Sequence, residues 1–182
     1  VQTCALPISF LHIIAVARLA VPYTGIIVST REREAVRQRA LHVGVSQISG
    51  GSRTSVGGYA QTTEAAHSEQ FEVSDPRTLD EVVYWLLQQG HIPSFCTACY
   101  REGRTGDRFM SLCKSGQISN CCGPNALLTL QEYLEDYASP ATRELGLEMI
   151  SQQLPTIPNE RVRAIAQQRL QQIKAGERDF RF

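Results

Sequence analysis

Apolar and polar positions alternate along this chain in a rhythm of helices and short strands. Residues 9–20 place Phe10, Ile13, Ile14, Ala17 and Leu19 at helical spacing, interrupted by His12 and Arg18, and Pro22 ends the pattern. "TGIIVST" then reads as a short buried strand, β-branched and opened by a glycine. "REREAVRQRALHVG" reads as a helix with a polar face, closed by Gly44. "VSQIS" predicts a second strand, and "GGSRTSVGGYAQTTEAAHSE" a long glycine- and serine-rich loop. Another amphipathic helix follows at "LDEVVYWLLQQG", with Asp75 or Thr78 available as its cap and Gly90 as its stop.

Beyond residue 120 the pattern is helical throughout: "PNALLTLQEYLEDYA", "PATRELGLEMISQQL" and "NERVRAIAQQRLQQIKAGE", with Pro124 and Pro140 at first helical positions. Helix, strand, helix, strand with tight connections is the rhythm of a parallel α/β sheet or barrel. In a barrel, the loops after the strands face the active site.

The opening "VQTCALPI" fits neither period and lacks the basic region of a secretory signal. It resembles the read-through of a sequencing adapter, so residues 1–8, with Cys4, are set apart as a non-native segment before the C-terminal piece of a longer protein. Eighteen Lys and Arg balance eighteen Asp and Glu, so no global field draws the chain to nucleic acid or an anionic membrane. The longest apolar run, "FLHIIAVARLAVPY", is too short and too interrupted to span a bilayer.

Five cysteines remain once Cys4 is set apart: Cys96, Cys99, Cys113, Cys121 and Cys122. An odd count without a secretory signal argues for a reducing compartment rather than a disulfide framework. Cys96 and Cys99 form a C-x2-C pair that can aim two thiolates at one metal. Cys122 falls before "GPNALLTL", where a helix start at Pro124 would favour its thiolate. A zinc site wants a fourth ligand, from Cys121, Cys113 or His91. Cys121 is awkward in that role, because adjacent residues of an extended chain point opposite ways. A redox pair of the thioredoxin kind fails on context, since no strand-to-helix turn is expected there. A 4Fe–4S cube accepts three cysteines and leaves one iron open. Spacing alone leaves iron–sulfur and zinc level, with a purely structural cysteine cluster behind them.

"VPYTGIIVSTRE", "GVSQISGGSRTSVGGY", "EQFEVSDPRTLDEVV", "IPSFCTACYREGRTGDRFM", "CGPNALLTLQEYLEDYAS" and the closing "AGERDF" together resemble the HydG family, the radical-SAM tyrosine lyases that mature iron–iron hydrogenase. The likeness runs in order through residues 9–182. The first half is also similar to the 2-iminoacetate synthases (ThiH) of thiamine biosynthesis, which lack the cysteine-bearing extension. This resemblance implies residues 9–93 as the last βα units of a (β/α)8 TIM-type barrel and 94–182 as an all-α domain with an auxiliary 4Fe–4S cluster. It implies cleavage of L-tyrosine by a radical made from S-adenosylmethionine, p-cresol as by-product, and CO and cyanide for H-cluster assembly. The auxiliary cluster, carrying an additional iron and free cysteine, would build the iron carbonyl cyanide unit. By the family's C-x2-C-x22-C pattern its ligands are Cys96, Cys99 and Cys122. Other hydrogenase maturases are the implied partners and the cytoplasm the implied location, with no role for nucleic acid or membrane.

Two departures accompany the likeness. The three-cysteine motif of the radical 4Fe–4S cluster is absent, as is most of the barrel, so these residues alone are expected to be inactive. Such a part-barrel is also expected to be poorly soluble, because it exposes sheet edges and apolar helix faces. Cys113 and Cys121 stand where relatives are expected to have other residues. Both read as small hydrophobes, with Cys121 also able to perturb or replace a ligand.

Arg31, just after the first strand, is a candidate clamp for the substrate carboxylate; the alternative is pairing with Glu32 or Glu34. Ser49, ending the second strand, is a weaker substrate-binding candidate, and Gly50, Gly51 and Ser52 form a turn with bare N–H groups. His42, His67 and His91 read first as surface or capping residues. Arg101, Arg104 and Arg108 are either a solvated loop interleaved with Glu102 and Asp107 or donors that neutralise the anionic cluster. Besides the thiamine-pathway lyase, a zinc-stabilised helical interaction module stays open as a different class.

Overall fold

The computed structural model describes residues 7–54, 59 and 73–182, with the side chains of Pro7 and Ile8 excepted. Cys4, His67 and most of the glycine-rich loop lie outside the described residues. The chain divides into two compact units, Val1–Leu79 and Asp80–Phe182. The boundary expected from sequence was at 93/94. It differs because the helix "LDEVVYWLLQ" gives Val83 and Leu87 to the core of the second unit.

In the first unit, α1 (Pro7–Ala20), β1 (Ile27–Val28), α2 (Glu34–His42) and β2 (Gln47–Ile48) follow the expected order. The strands pair in parallel, Ile27 with Gln47 and Val28 with Ile48. Both are shorter than the apolar runs that predicted them. Among the described residues each has one neighbour only, so the ladder is supported from a single side. The fold is therefore mostly helical with a small parallel sheet, and the (β/α)8 barrel is not present in these residues.

Leu11, Ile14, Val28, Ala40 and Val45 form the core of this unit. Ile13, Val16 and Leu19 on α1 and Ile27 on β1 are left exposed. The Arg18 side chain ties the end of α1 to the turn after α2: its Nε donates to the Gly44 carbonyl at 2.9 Å, and Nη1 reaches the Pro22 and Thr24 carbonyls. Gly44 has φ +112°, and a Cβ there would lie 2.8 Å from Arg18 Cγ, so both conformation and space call for glycine.

The polar-faced helix expected at 31–44 conceals an ion pair. Arg37 is fully buried and pairs with buried Asp75, while its guanidinium also donates to the Ser49 carbonyl. Arg77 grips the same carboxylate, Nε to Oδ1 at 2.8 Å and Nη2 to Oδ2 at 2.7 Å. Arg77's hydrogen bonds hold the Asp75 pKa below the usual carboxylate range against the opposing effect of burial, helped by the charge of Arg37. Asp75 is thus committed to two arginines.

The second unit contains α3 (Leu79–Gln88, apart from Leu79), α4 (Ala98–Arg101), α5 (Gly106–Lys114), α6 (Ser119–Asp136), α7 (Pro140–Gln153), a 3-10 turn at Leu154–Thr156 and α8 (Glu160–Lys174). Leu127, Leu128, Leu130, Leu134, Ile150, Ala166, Leu170 and Ile173 make its core. Gly146 lets α7 approach α6, since a Cβ there would meet Leu134 Cδ2 at 2.6 Å. Asp80 ties α3 to α6 and α7, accepting from Tyr133 Oη at 3.0 Å and Thr142 Oγ1 at 2.9 Å. Ser139 caps α7 with Pro140 beside it, as expected, and Asn159 caps α8.

Two expectations fail here. Helix α6 starts at Ser119, so Pro124 lies inside it, in the sixth helical position rather than the first. As the sixth helical residue it lacks the N–H that would reach the Asn120 carbonyl, so α6 gives up one backbone bond near its start. Helix α5 lies where a loop was expected; Phe109, Met110, Leu112 and Cys113 share its half-buried face. Among the described residues no helix is long and apolar enough to cross a membrane.

Candidate metal centre

Three helices of the second unit carry the cysteines. Cys96 precedes α4 and Cys99 lies within it; Cys113 is on α5; Cys121 and Cys122 are in the first turn of α6. The segment leading to the C-x2-C pair is fixed to α6. Phe95 N–H donates to Thr129 Oγ1 at 3.2 Å, and its ring stacks on Tyr133 with centroids 5.1 Å apart. Ala98, buried, then donates its N–H to Cys96 Sγ at 3.4 Å, a long backbone contact to sulfur. A short helix does begin within the pair, although no strand precedes it.

These five thiols are free, and Cys99 and Cys122 each lie within electrostatic reach of Cys96, Cys113 and Cys121. Although Cys122 as a residue is exposed, partial loss of water around its thiol pushes its pKa up to about 11, reinforced by Cys99 and Cys96, then Cys121 and Cys113. This reverses the expectation that a helix start would favour the Cys122 thiolate. Desolvation and mutual repulsion of the thiolates outweigh the helix dipole. Desolvation also raises Cys99, with Arg104 opposing it. The sequence argument about opposed neighbours lapses too, because Cys121 and Cys122 sit in helical rather than extended backbone.

Among the described residues no three His, Cys, Asp or Glu side chains converge tightly enough for a single metal ion. A four-coordinate zinc would draw its thiolates around bonds of about 2.3 Å. An iron–sulfur cube spreads its ligands around a larger body and needs only three cysteines when one iron stays open. The cysteines of this unit share one electrostatic neighbourhood without converging on a point.

The arginines separate clearly. Arg101 pairs with Asp179, Nη2 to Oδ2 at 2.8 Å, and exposed Arg108 donates to the Glu102 carbonyl at 3.2 Å. Arg104 alone of the three is buried: Nη1 donates to Cys121 Sγ at 3.1 Å and Nη2 to the Phe182 main-chain oxygen at 2.5 Å. Phe182 is held in turn by Asn125, whose Oδ1 accepts its N–H at 2.8 Å. Arg181 pairs with Glu102 at 2.7 Å, and Arg169 lies 4.4 Å from the centroid of the Phe182 ring. The closing segment thus clasps the cysteine-bearing one, a role that its local sequence does not advertise.

In the first unit, Arg31 and Ser49 follow the C-terminal ends of the parallel strands β1 and β2, at the same edge of the sheet. Arg31 is exposed and its N–H donates to Ser29 Oγ at 3.3 Å. Glu34, one alternative partner for Arg31, lies 3.4 Å from Arg77. Ser49 N–H donates to the Val28 carbonyl at 3.1 Å. Gly51 has φ +63°, and a Cβ there would lie 3.2 Å from the Leu79 nitrogen. His42 is exposed, its Nδ1 2.9 Å from the Gln38 carbonyl, and the main-chain N–H of His91 donates to the Leu86 carbonyl.

A short parallel βαβ segment joined to a thiol-bearing helical unit matches a known class. Residues 3–92 match the Biotin and Thiamin Synthesis associated domain, ending just before Cys96. Over 97% of the chain the fold is also that of HydG, a maturase of the FeFe-hydrogenase, with a TM-score of 0.91 and 49% identity. HydG from Carboxydothermus hydrogenoformans is 35% identical over 90% of the chain, with a TM-score of 0.66. The chain spans 38% and 34% of those two proteins. No curated protein matches it. The chain belongs to the HydG family, as a C-terminal part of it.

Proposed function

We propose that these residues form the auxiliary-cluster end of a radical-SAM tyrosine lyase that supplies CO and cyanide for H-cluster assembly. The observation that carries this reading is the thiol set of the second unit. Desolvation acts on Cys122 most, and among the cysteines Cys99 and Cys96 act on it ahead of its chain neighbour Cys121; Cys96, Cys99 and Cys122 are the family's C-x2-C-x22-C positions. When bound there, a 4Fe–4S cluster with an additional iron would supply the open coordination at which an iron carbonyl cyanide unit is assembled, with free cysteine as a further ligand.

The chain's own residues prepare that site. Phe95 and Thr129 hold the C-x2-C segment against α6, and the backbone N–H of Ala98 points a donor at Cys96. Thiols must give up their protons to bind metal, so loading should release protons and be favoured by alkaline conditions. In the first unit, Arg31 would clamp the carboxylate of L-tyrosine, and Ser49 would serve more weakly for its amino or carboxylate group. S-adenosylmethionine and a radical 4Fe–4S cluster belong to the full-length protein, which works with other hydrogenase maturases in the cytoplasm.

Anaerobic reconstitution with iron and sulfide tests the reading. The chain should take up about four irons with matching sulfide and show visible absorbance, as a cube requires. Cys96→Ala, Cys99→Ala or Cys122→Ala should each abolish most of that uptake, whereas Cys113→Ala should retain it. Stoichiometric zinc with no visible absorbance would instead establish the interaction module.

A further inference from the structure

We propose that Arg104 is the positioning cation of the auxiliary cluster, holding the thiol-rich pocket together and easing electron entry into the bound cluster. The inference rests on the cluster-binding function proposed above and goes beyond it by assigning a residue outside the ligand set.

Arg104 lies between Cys99 and Cys122 in sequence and is tied to both ends of that interval. Its N–H donates to the Cys99 carbonyl at 2.7 Å, and its Nη1 donates to Cys121 Sγ at 3.1 Å. The side chain is 9% exposed, and its Nε is buried without a hydrogen-bond partner. Among the described residues it makes no ion pair with a side-chain carboxylate; its partners are a sulfur and the Phe182 main-chain oxygen. Burying a guanidinium with one donor unused is costly, and nearby negative charge offsets the cost. Three thiolates carrying a cluster provide that charge. Its neighbours Arg101 and Arg108 face Asp179 and the Glu102 carbonyl, so the arginine-rich loop sends one cation toward the thiols.

A fixed positive charge beside a cluster stabilises the reduced form, which is one unit more negative, and so raises the reduction potential. Removing it should make the cluster harder to reduce.

Arg104→Met and Arg104→Lys, reconstituted beside the unchanged chain, test this by a redox titration followed by EPR. Arg104→Met should lower the reduced-to-oxidised ratio at fixed potential about tenfold, which is about 59 mV for one electron, and Arg104→Lys should recover most of the loss. Asn125→Ala supplies the control, because it loosens the same Phe182 main chain without altering charge, and should leave the potential in place. If Arg104→Met fails to load while Arg104→Lys loads, the cation is required for assembly and the proposal stands. An unchanged potential in fully loaded Arg104→Met overturns it, as does an equal shift in Asn125→Ala. An unchanged chain that takes up no iron–sulfur cluster overturns the functional reading and this proposal together.

Discussion

The two units are stabilised by opposite means. Val1–Leu79 has a small aliphatic core and, buried beside it, a carboxylate shared by two arginines. Asp80–Phe182 has a leucine-rich core spread over α3, α6, α7 and α8, with its ionic contacts mostly toward the surface. A buried charge network depends on every member, because removing one leaves the others desolvated and unpaired. An aliphatic core of many members loses only its local share when one is changed. The first unit is therefore expected to fail abruptly, and the second by increments.

The largest effect should come from Asp75→Ala, which leaves Arg37 buried without its carboxylate and should destabilise the first unit by about 3–5 kcal/mol. Trp85, the only tryptophan, lies in α3 and reports on the second unit, whereas far-UV circular dichroism reports on both. In the variant, ellipticity should fall early in a urea titration while the Trp85 transition stays near its original midpoint. If both transitions moved together by the same amount, the contrast between the units would be lost. The same carboxylate sets an acid limit. Its folded pKa is depressed, so its contribution is complete above the unfolded value near 3.8 and fades as pH falls through the lower folded one.

A smaller effect belongs to Asp80 in the second unit. Burial raises its pKa, but hydrogen bonds from Ser139, Thr142 and Tyr133 together outweigh this and the net shift is downward. Asp80→Asn should cost about 1–2 kcal/mol at neutral pH, the scale of weakening a buried charged hydrogen-bond set. The difference from the unchanged chain should shrink below the ordinary carboxylate range, as Asp80 itself becomes protonated. A Trp85 midpoint in Asp80→Asn whose deficit stayed constant from neutral pH into strong acid would show that packing, not charge, is what the residue contributes.

How much of this was legible in the sequence differs between the units for the same physical reason. The leucines of α6 and the caps Ser139 and Asn159 follow local rules, helical periodicity and side-chain acceptors at a helix start, and α7 and α8 emerged with nearly their observed limits. Arg37 and Asp75 are 38 residues apart, and nothing within "REREAVRQRALH" marks one of its charged residues as buried. The cysteines were legible as a metal motif, but not their electrostatics. A proline normally found at a helix start misplaced the first turn of α6, and the desolvation that raises the Cys122 pKa left no mark in the local sequence. Arg104 was indistinguishable from Arg101 and Arg108 until its burial separated them. Membership of a charged loop says little about which way each side chain turns.

Helix caps give the finest version of the comparison. Asn159 Oδ1 accepts from the N–H groups of both Arg161 and Val162, at 3.0 and 3.2 Å, whereas Arg33 before α2 has cap-like backbone, φ −64° and ψ 152°, without a capping side chain. Asn159→Ala should therefore cost about 1 kcal/mol, read from Trp85, because two N–H donors lose their acceptor. Arg33→Ser should do the reverse in the first unit, adding about 0.5–1 kcal/mol by giving α2 the acceptor it lacks, with Glu34 already placed to favour the helix start. Circular dichroism would show the gain as a later first transition with the Trp85 transition unmoved. A loss of stability in Arg33→Ser would mean that the arginine stem covers apolar surface worth more than a cap, and that the first unit relies on its arginines for packing as well as charge.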